Sequence, residues 1–438
     1  MTNNIPYTQL KTQSKVPLTL CIAIFIIIFF MNKDFNIRYM YNYAIVAGFL
    51  GLSFLVDGVL KINRNTWPYL FMAVVVVAYS FMPGAVRDAN TTNSAISIVL
   101  FTICCLMADP SDREINLTLK VLVVWAIIIS FYLLMVKAVP SVYWNMIYPH
   151  LSSVAQGEAV YLMRDNSYGV AMGGSAVYVE YVGAIGAFIC LGRILGRGLT
   201  RKKEYMYFGL VFLFILTMLI QNRRSELLAA LAALFLMVLL NINFGRIIAR
   251  RVKQVLGIAC VGVAGLALML SRGMLDRYVQ MFIGLASNDA GGIVEVGNGR
   301  VALWNLALEL FKSSPVFGIG WRQYSAHNFV SGMEGVNVHN DYLQWLCETG
   351  IVGFILIAVP MFYLWIKTIK WCRKLRGKGD IYGTEVKAYA YVSCGIQTFQ
   401  VIMHLMDPCF YKLLYWAMFS LAIVLYNMSR ERAYERNT

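Results

Sequence analysis

Charged side chains are scarce in this sequence: Asp, Glu, Lys and Arg make up 14% of 438 residues, against 59% hydrophobic. A water-soluble domain usually carries about a quarter charged residues, so this balance excludes water as the main solvent and points to lipid. Acidic residues are the scarcer sign, 23 against 38 basic, which leaves a net charge of +15. In a soluble protein that surplus would suggest a nucleic-acid partner. Here the basic residues sit in short runs between apolar stretches rather than on one face, so membrane topology accounts for them and nucleic acid is not expected. No His, Cys and carboxylate group stands at ligand spacing, and Asp34, Asp88, Glu158 and Asp165 are scattered, so neither a metal nor another cofactor is expected. No small-residue cleavage site follows the apolar stretch 16–31, which reads as a first membrane helix rather than a secretion signal. Of nine cysteines, only Cys409 falls outside or away from an apolar stretch. They read as small buried hydrophobes, not a disulfide framework.

What the sequence does have is apolar runs long enough to cross roughly 30 Å of hydrocarbon. They lie near 16–31, 40–60, 67–84, 94–108, 118–138, 174–195, 205–220, 226–243, 255–270, 350–368, 388–406 and 412–428. The run at 94–108 is short enough to be re-entrant. With the amino terminus inside, the inner segments hold about twice as many Lys and Arg as the outer ones, as cytoplasmic loops should. The richest inner clusters are Arg193 to Lys203, Arg246 to Lys253 and Lys367 to Lys387. The expected fold is therefore an all-α polytopic membrane protein of about twelve transmembrane helices with both termini cytoplasmic. Its regions are a membrane part at 1–270, a large, partly helical outer loop at 271–342 between helices nine and ten, and a second membrane part at 343–438. A further outer loop spans 139–173. Loops this long are usually functional or disordered, and the wealth of Trp, Tyr and Phe favours ordered function.

Three outer features carry chemistry. In Val338-His339-Asn340-Asp341-Tyr342-Leu343-Gln344-Trp345 a helix beginning near Asn340 places His339 at its amino end. The dipole there disfavours imidazolium, which suits an imidazole that accepts a proton; the plainer reading is an interfacial or capping histidine. Gln221-Asn222-Arg223-Arg224-Ser225-Glu226 sets two arginines on the outer side of a short turn, against the charge bias. Ionisable groups at that depth normally face a polar cavity, although snorkelling to headgroups would serve. Gly297-Asn298-Gly299-Arg300 precedes an amphipathic segment through Trp304 to Phe311, with Leu303, Leu306, Leu310 and Phe311 as its buried stripe. A cation in a first helical turn is unfavourable, which calls for an anionic ligand, unless Arg300 is an ordinary surface residue. Of the rest, Pro315, Gly318 and Gly320 suggest a tight turn rather than a nucleotide loop. Arg322 follows them, and Arg164 has a modest claim on ligand binding. His327 reads as structural, and His404 with Asp407 as a second polar site or a helix-end anchor.

In order and spacing, the Arg224 turn, Gly299-Arg300 to Trp304, Pro315 to Gly320 and His339-Asn340 through Gly353 resemble the O-antigen ligase and O-antigen polymerase superfamily. The resemblance is strong over 220–369 and rests on helix count elsewhere. It implies a membrane glycosyltransferase of GT-C-like architecture that acts on the periplasmic face of the bacterial inner membrane. It also implies functional roles for two arginines and one histidine, which match Arg224, Arg300 and His339. Arg223 stands where the family often has Ser, and Ser225 where it often has Gly. Chain size and one dominant late loop resemble the ligase that joins O-antigen to lipopolysaccharide core. The alternatives are an O-antigen polymerase, a protein O-oligosaccharyltransferase or a lipid-linked glycan transporter, the last of which usually shows inverted repeats.

On that reading the donor is a glycan on undecaprenyl diphosphate and the acceptor is lipid A–core, both presented from membrane lipid. Arg224 and Arg300 stabilise the diphosphate leaving group, and His339 takes the acceptor proton in an inverting, metal-independent transfer. Arg223, Arg164, Asn340, Trp304, Arg322, Tyr342 and Gln344 are the candidate substrate contacts.

Overall fold

The protein is described by a computed structural model that covers residues 16–32, 39–57, 66–86, 89–164, 176–196, 198–221, 224–242, 300–376 and 383–435. Its long helices are α1 (Leu18–Asn32), α2 (Tyr39–Asp57), α3 (Trp67–Phe81), α4 (Ala89–Met107), α5 (Asp112–Ala138), α6 (Ser153–Arg164), α7 (Ala176–Gly196) and α8 (Arg201–Ile220). They continue with α9 (Arg224–Asn241), α10 (Arg300–Ser313), α11 (Asp341–Leu375), α12 (Thr384–Met403) and α13 (Leu413–Glu435). No strand occurs among the described residues. Every apolar run read from the sequence coincides with one of these helices except 255–270, which lies outside the described residues together with the first part of the large loop.

Local chemistry explains the boundaries. The short run at 94–108 gains the five residues Ala89-Asn90-Thr91-Thr92-Asn93 ahead of it and becomes the 19-residue α4. α5 starts at Ser111, whose hydroxyl accepts from Glu114 N, with Asp112 and Glu114 in the first turn where the helix dipole favours them. α5, α8 and α11 are each long and apolar enough to cross a membrane. α11 begins where the sequence puts it, with Asn340 as N-cap, and runs on through the apolar stretch 350–368 as one 35-residue helix; the break at Gly350, where φ is +63, is what the sequence did not signal.

α12 and α13 pack on each other at the centre. α12 also packs on α7, α9 and α11, and α13 on α4 and α1. Nearly every side chain of both is buried, as expected of a helix that touches neighbours all round. Polar groups in this interior are bonded between helices. Gln397 Nε2 donates to Thr368 Oγ1 at 2.9 Å, Trp365 Nε1 to Thr398 Oγ1 at 2.9 Å, and Gln400 Nε2 to the Tyr415 carbonyl at 3.0 Å. All cysteines among the described residues are buried and free, Cys409 included.

Candidate functional site

The amino-terminal end of α11 is held by an interlock of two glycine-bearing segments. Ile319 N donates to the Cys347 carbonyl at 2.9 Å and Gly320 N to that of Glu348 at 3.0 Å. Ile351 N donates to Pro315 at 2.9 Å and Val352 N to Val316 at 3.2 Å. Backbone meets backbone here, so the break at Gly350 is filled by Pro315 to Gly320. A Cβ on Gly318 would stand 2.2 Å from the Glu348 carbonyl carbon, and one on Gly350 2.3 Å from that of Val316. The expected tight turn is thus also a clamp. Glu348, fully buried, secures it: Oε1 accepts from Tyr324 N and Gln344 Nε2, and Oε2 from Arg322 N and Tyr411 Oη. Four donors satisfy a carboxylate that would otherwise be costly to bury.

Above this clamp α10 lies against α11. Leu303 and Ala307 are buried, and Ala307 joins Tyr324, Val338 and Cys347 in a small cluster flanked by Trp304, Leu306, Leu310 and Phe311. The amphipathic stripe expected from the sequence is therefore the face that seats α10. Tyr324 Oη donates to the Leu303 carbonyl at 2.8 Å.

His339 precedes α11 with φ +55, an uncommon conformation for a non-glycine residue. Asn340 follows in extended backbone as the N-cap, and its Oδ1 accepts from Leu343 N at 3.1 Å. The His339 ring is 32% exposed, and its Nδ1 lies 3.4 Å from Asp407 Oδ1. Asp407 also pairs with Lys412. Burial alone would push the Asp407 carboxyl up, but Lys412 and His339 outweigh it and hold it well below the usual carboxylate range.

A second His–Asp pair runs the opposite way between the same segments. His404 Nδ1 donates to Asp341 Oδ2 at 2.7 Å, with both side chains wholly buried. Asp341 Oδ2 also accepts from Cys409 N at 2.9 Å and Phe410 N at 3.0 Å, and lies 3.3 Å from Cys409 Sγ. Asp341, His404 and Cys409 are a set of metal-capable donors that linear spacing hid. The facing oxygen of Asp341 is already filled by protein donors, which is the pattern of a hydrogen-bonded anchor.

The remaining candidates divide. Arg300 opens α10, partly exposed, and forms no ion pair among the described residues. Trp304 has a buried indole Nε1 with no hydrogen-bond partner among them. Arg322 (φ +61) reaches Thr91 Oγ1 at 3.4 Å and stands over the Tyr411 ring. Tyr342 and Gln344 are built into the scaffold: Tyr342 Oη donates to the Val401 carbonyl at 2.9 Å, and Gln344 donates to Asn337 and Glu348. Arg224 begins α9 and Arg164 ends α6; Arg223 lies outside the described residues. His327 Nδ1 contacts the Gln323 carbonyl on an exposed turn. Nothing in the sequence connects Asp407 and Lys412 to His339, because the pairing crosses more than sixty positions of chain; the one signal is a polar patch at the end of an apolar helix.

Comparison with known proteins bears directly on this region. Residues 209–358 match the model of the O-antigen ligase family. A stretch of 111 residues is 26% identical to the exopolysaccharide production protein ExoQ of Rhizobium meliloti, covering 23% of each chain. The chain thus aligns with about a quarter of that relative's length. The resemblance to the O-antigen ligase and polymerase superfamily is met: α9, α10 and the head of α11 lie within the residues that match the O-antigen ligase model.

Proposed function

We propose that this protein is a glycosyltransferase of the inner membrane that moves O-antigen from undecaprenyl diphosphate to lipid A–core on the periplasmic face. The observation that carries the reading is His339 at the head of α11 with Asp407 at its Nδ1, inside the segment that matches the O-antigen ligase family. A carboxylate at Nδ1 favours a proton on that nitrogen and leaves the Nε2 lone pair for the acceptor hydroxyl. As the acceptor oxygen attacks the anomeric carbon, the bond from that carbon to phosphate oxygen breaks, the proton passes to His339, and the diphosphate leaves with the bonding electrons. Attack from the face opposite the diphosphate inverts the anomeric centre. Arg300 and Arg224 stabilise the leaving charge through planar two-point contacts, and the Trp304 indole N–H is a ready donor to a phosphate or sugar oxygen.

The test uses purified protein, a polyprenyl-diphosphate-linked oligosaccharide and lipid A–core, with donor binding and single-turnover rates measured separately. His339→Ala should lose turnover by about a hundredfold or more with donor binding nearly intact. Arg300→Ala and Arg224→Ala should lose both together, and turnover should persist in excess chelator. Wild-type turnover in His339→Ala would remove the base assignment.

The partial likeness to an exopolysaccharide production protein favours a second reading, a role in making an exopolysaccharide, and polymerisation of lipid-linked repeat units is the alternative reaction within the superfamily. A deletion strain separates them. Loss of all O-antigen with carrier-linked polymer accumulating supports the ligase, and caps of a single repeat unit support the polymerase. Loss of a secreted polysaccharide with intact lipopolysaccharide supports the exopolysaccharide branch.

A further inference from the structure

We infer that the buried Asp341–His404 pair is a positioning device that sets Asp407 against His339; the inference rests on the reading of His339 as the base. Two short segments meet here. One carries His339 and Asp341, the other His404, Asp407 and Cys409, and each gives one His and one Asp to the other. Asp341 fastens the second segment at both ends. Its backbone N donates to the His404 carbonyl at 2.8 Å, and its Oδ2 accepts from His404 Nδ1 at 2.7 Å and from the N–H groups of Cys409 and Phe410. Asp407 lies between those anchor points, so their position fixes its own.

The anchor is rigid for two reasons. A buried carboxylate whose donors come from one turn cannot shift without losing several charge-assisted bonds together. The His404 ring is also caged by Trp345 at 5.0 Å, Tyr415 at 4.8 Å, and Tyr342 and Phe410 at 5.8 Å. Rigidity matters because the contact it controls is marginal. At 3.4 Å the His339–Asp407 pair is within ion-pair distance, but His339 Nδ1 makes no hydrogen bond among the described residues, so the placement of Asp407 by its turn decides whether the two groups can close to a bond. His339 already holds an unfavourable backbone conformation, so it needs its neighbours to keep it in place. Lys412, also on the second segment, holds the far oxygen of Asp407.

The test is a double-mutant cycle on the full-length protein in nanodiscs, using the glycosyl-transfer assay and counting only the folded fraction. His404→Leu removes the donor and keeps the bulk. It should lower kcat about tenfold or more while the donor KM stays within about twofold. His404→Asn returns an N–H near the former Nδ1 and should recover most of that loss. Asp407→Asn should resemble His404→Leu, and the double variant should be no slower than the slower single. Should His404→Leu fail to fold, Asp341→Asn takes its place, since its amide oxygen can still accept from the backbone. The inference is overturned by unchanged kcat in the clasp variant, by losses that multiply in the double variant, or by kcat and donor affinity falling in parallel. Stoichiometric zinc in the wild type that is lost in His404→Asn would also overturn it, because a metal site would then explain the cluster. Wild-type turnover in His339→Ala sinks the underlying reading instead, whatever the clasp variants do.

Discussion

Replacing Gly318 by alanine tests the interlock at the head of α11, because the structure separates two costs that glycine substitutions usually mix. At φ +75 a side chain would occupy the left-handed region, at about 1–2 kcal/mol for an L-residue. The added Cβ would also stand 2.2 Å from the Glu348 carbonyl carbon and 2.4 Å from Thr349 N. Those atoms are backbone, so relief requires the two segments to part by about an ångström. That would weaken the bonds from Ile319 N to Cys347 and from Gly320 N to Glu348, each worth about 0.5–1.5 kcal/mol. The sum is about 2–5 kcal/mol. Two controls isolate the parts. Gly332 has φ +76 with nothing within 4 Å, so Gly332→Ala should show the conformational cost alone. Gly209 lies inside α8 with nothing within 4 Å, so Gly209→Ala should be neutral or stabilising by up to about 1 kcal/mol. Thermal unfolding in detergent should therefore rank Gly209→Ala at or above wild type, Gly332→Ala lower and Gly318→Ala lowest. Equal midpoints for Gly318→Ala and Gly332→Ala would refute the interlock as a close-packed contact.

Other consequences can be checked more briefly. Labelling of single-cysteine variants should place Lys202 and Arg373 in the cytoplasm and Asn305 outside, and outer labelling at position 202 would overturn the charge-bias topology. Tyr342→Phe deletes the bond to the Val401 carbonyl and should cost about 0.5–1.5 kcal/mol of stability with donor KM unchanged; a raised KM instead would return Tyr342 to the substrate site. Because the folded Asp407 carboxyl titrates below its ordinary value of 3.8, its charge stabilises the fold above about pH 4 and that contribution fades as pH falls further. Wild type should therefore be more stable than Asp407→Asn at pH 5–7, with the gap closing in acid; a constant gap down to pH ~3 would contradict the ion-pair network.

The helices were legible where a single apolar period decides them. The runs at 40–60, 174–195 and 226–243 appear as α2, α7 and α9 with ends within about three residues, because burial is a local signal, whereas α5 starts after its Ser111 cap, ahead of the run at 118–138. The sequence was less informative where one element spans two environments. The first turns of α11 carry Asp341, Gln344, Cys347 and Glu348, which no apolar period marks as core, yet they are more buried than Leu343 and Leu346 beside them. They are buried against the segment from Pro315 to Tyr324 and the turn after α12, and Asp341 and Glu348 draw hydrogen bonds from partners distant in sequence. No periodicity rule can foresee a glycine break filled by another loop's backbone.

The site was legible in the same uneven way. His339, Arg300 and Arg224 stand out individually because each is an unfavourable residue for its local position, and such conflicts tend to mark function. Their partners do not stand out, since Asp407 at the end of an apolar helix is an ordinary anchor until the fold brings it to 3.4 Å from His339. Tyr342 and Gln344, polar side chains about one helical turn beyond a candidate base, look like substrate contacts, and the fold adds hydrogen bonds that run inward to Val401, Asn337 and Glu348. The absence of a metal-ligand pattern was likewise a statement about spacing. Asp341, His404 and Cys409 converge only because α11 and the turn after α12 cross. What such a cluster does depends on which of its donor atoms are already filled: Asp341 Oδ2 accepts from one side-chain and two backbone N–H groups, which suits the fastening inferred above, while Asp341 Oδ1 and His404 Nε2 have no hydrogen-bond partner among the described residues.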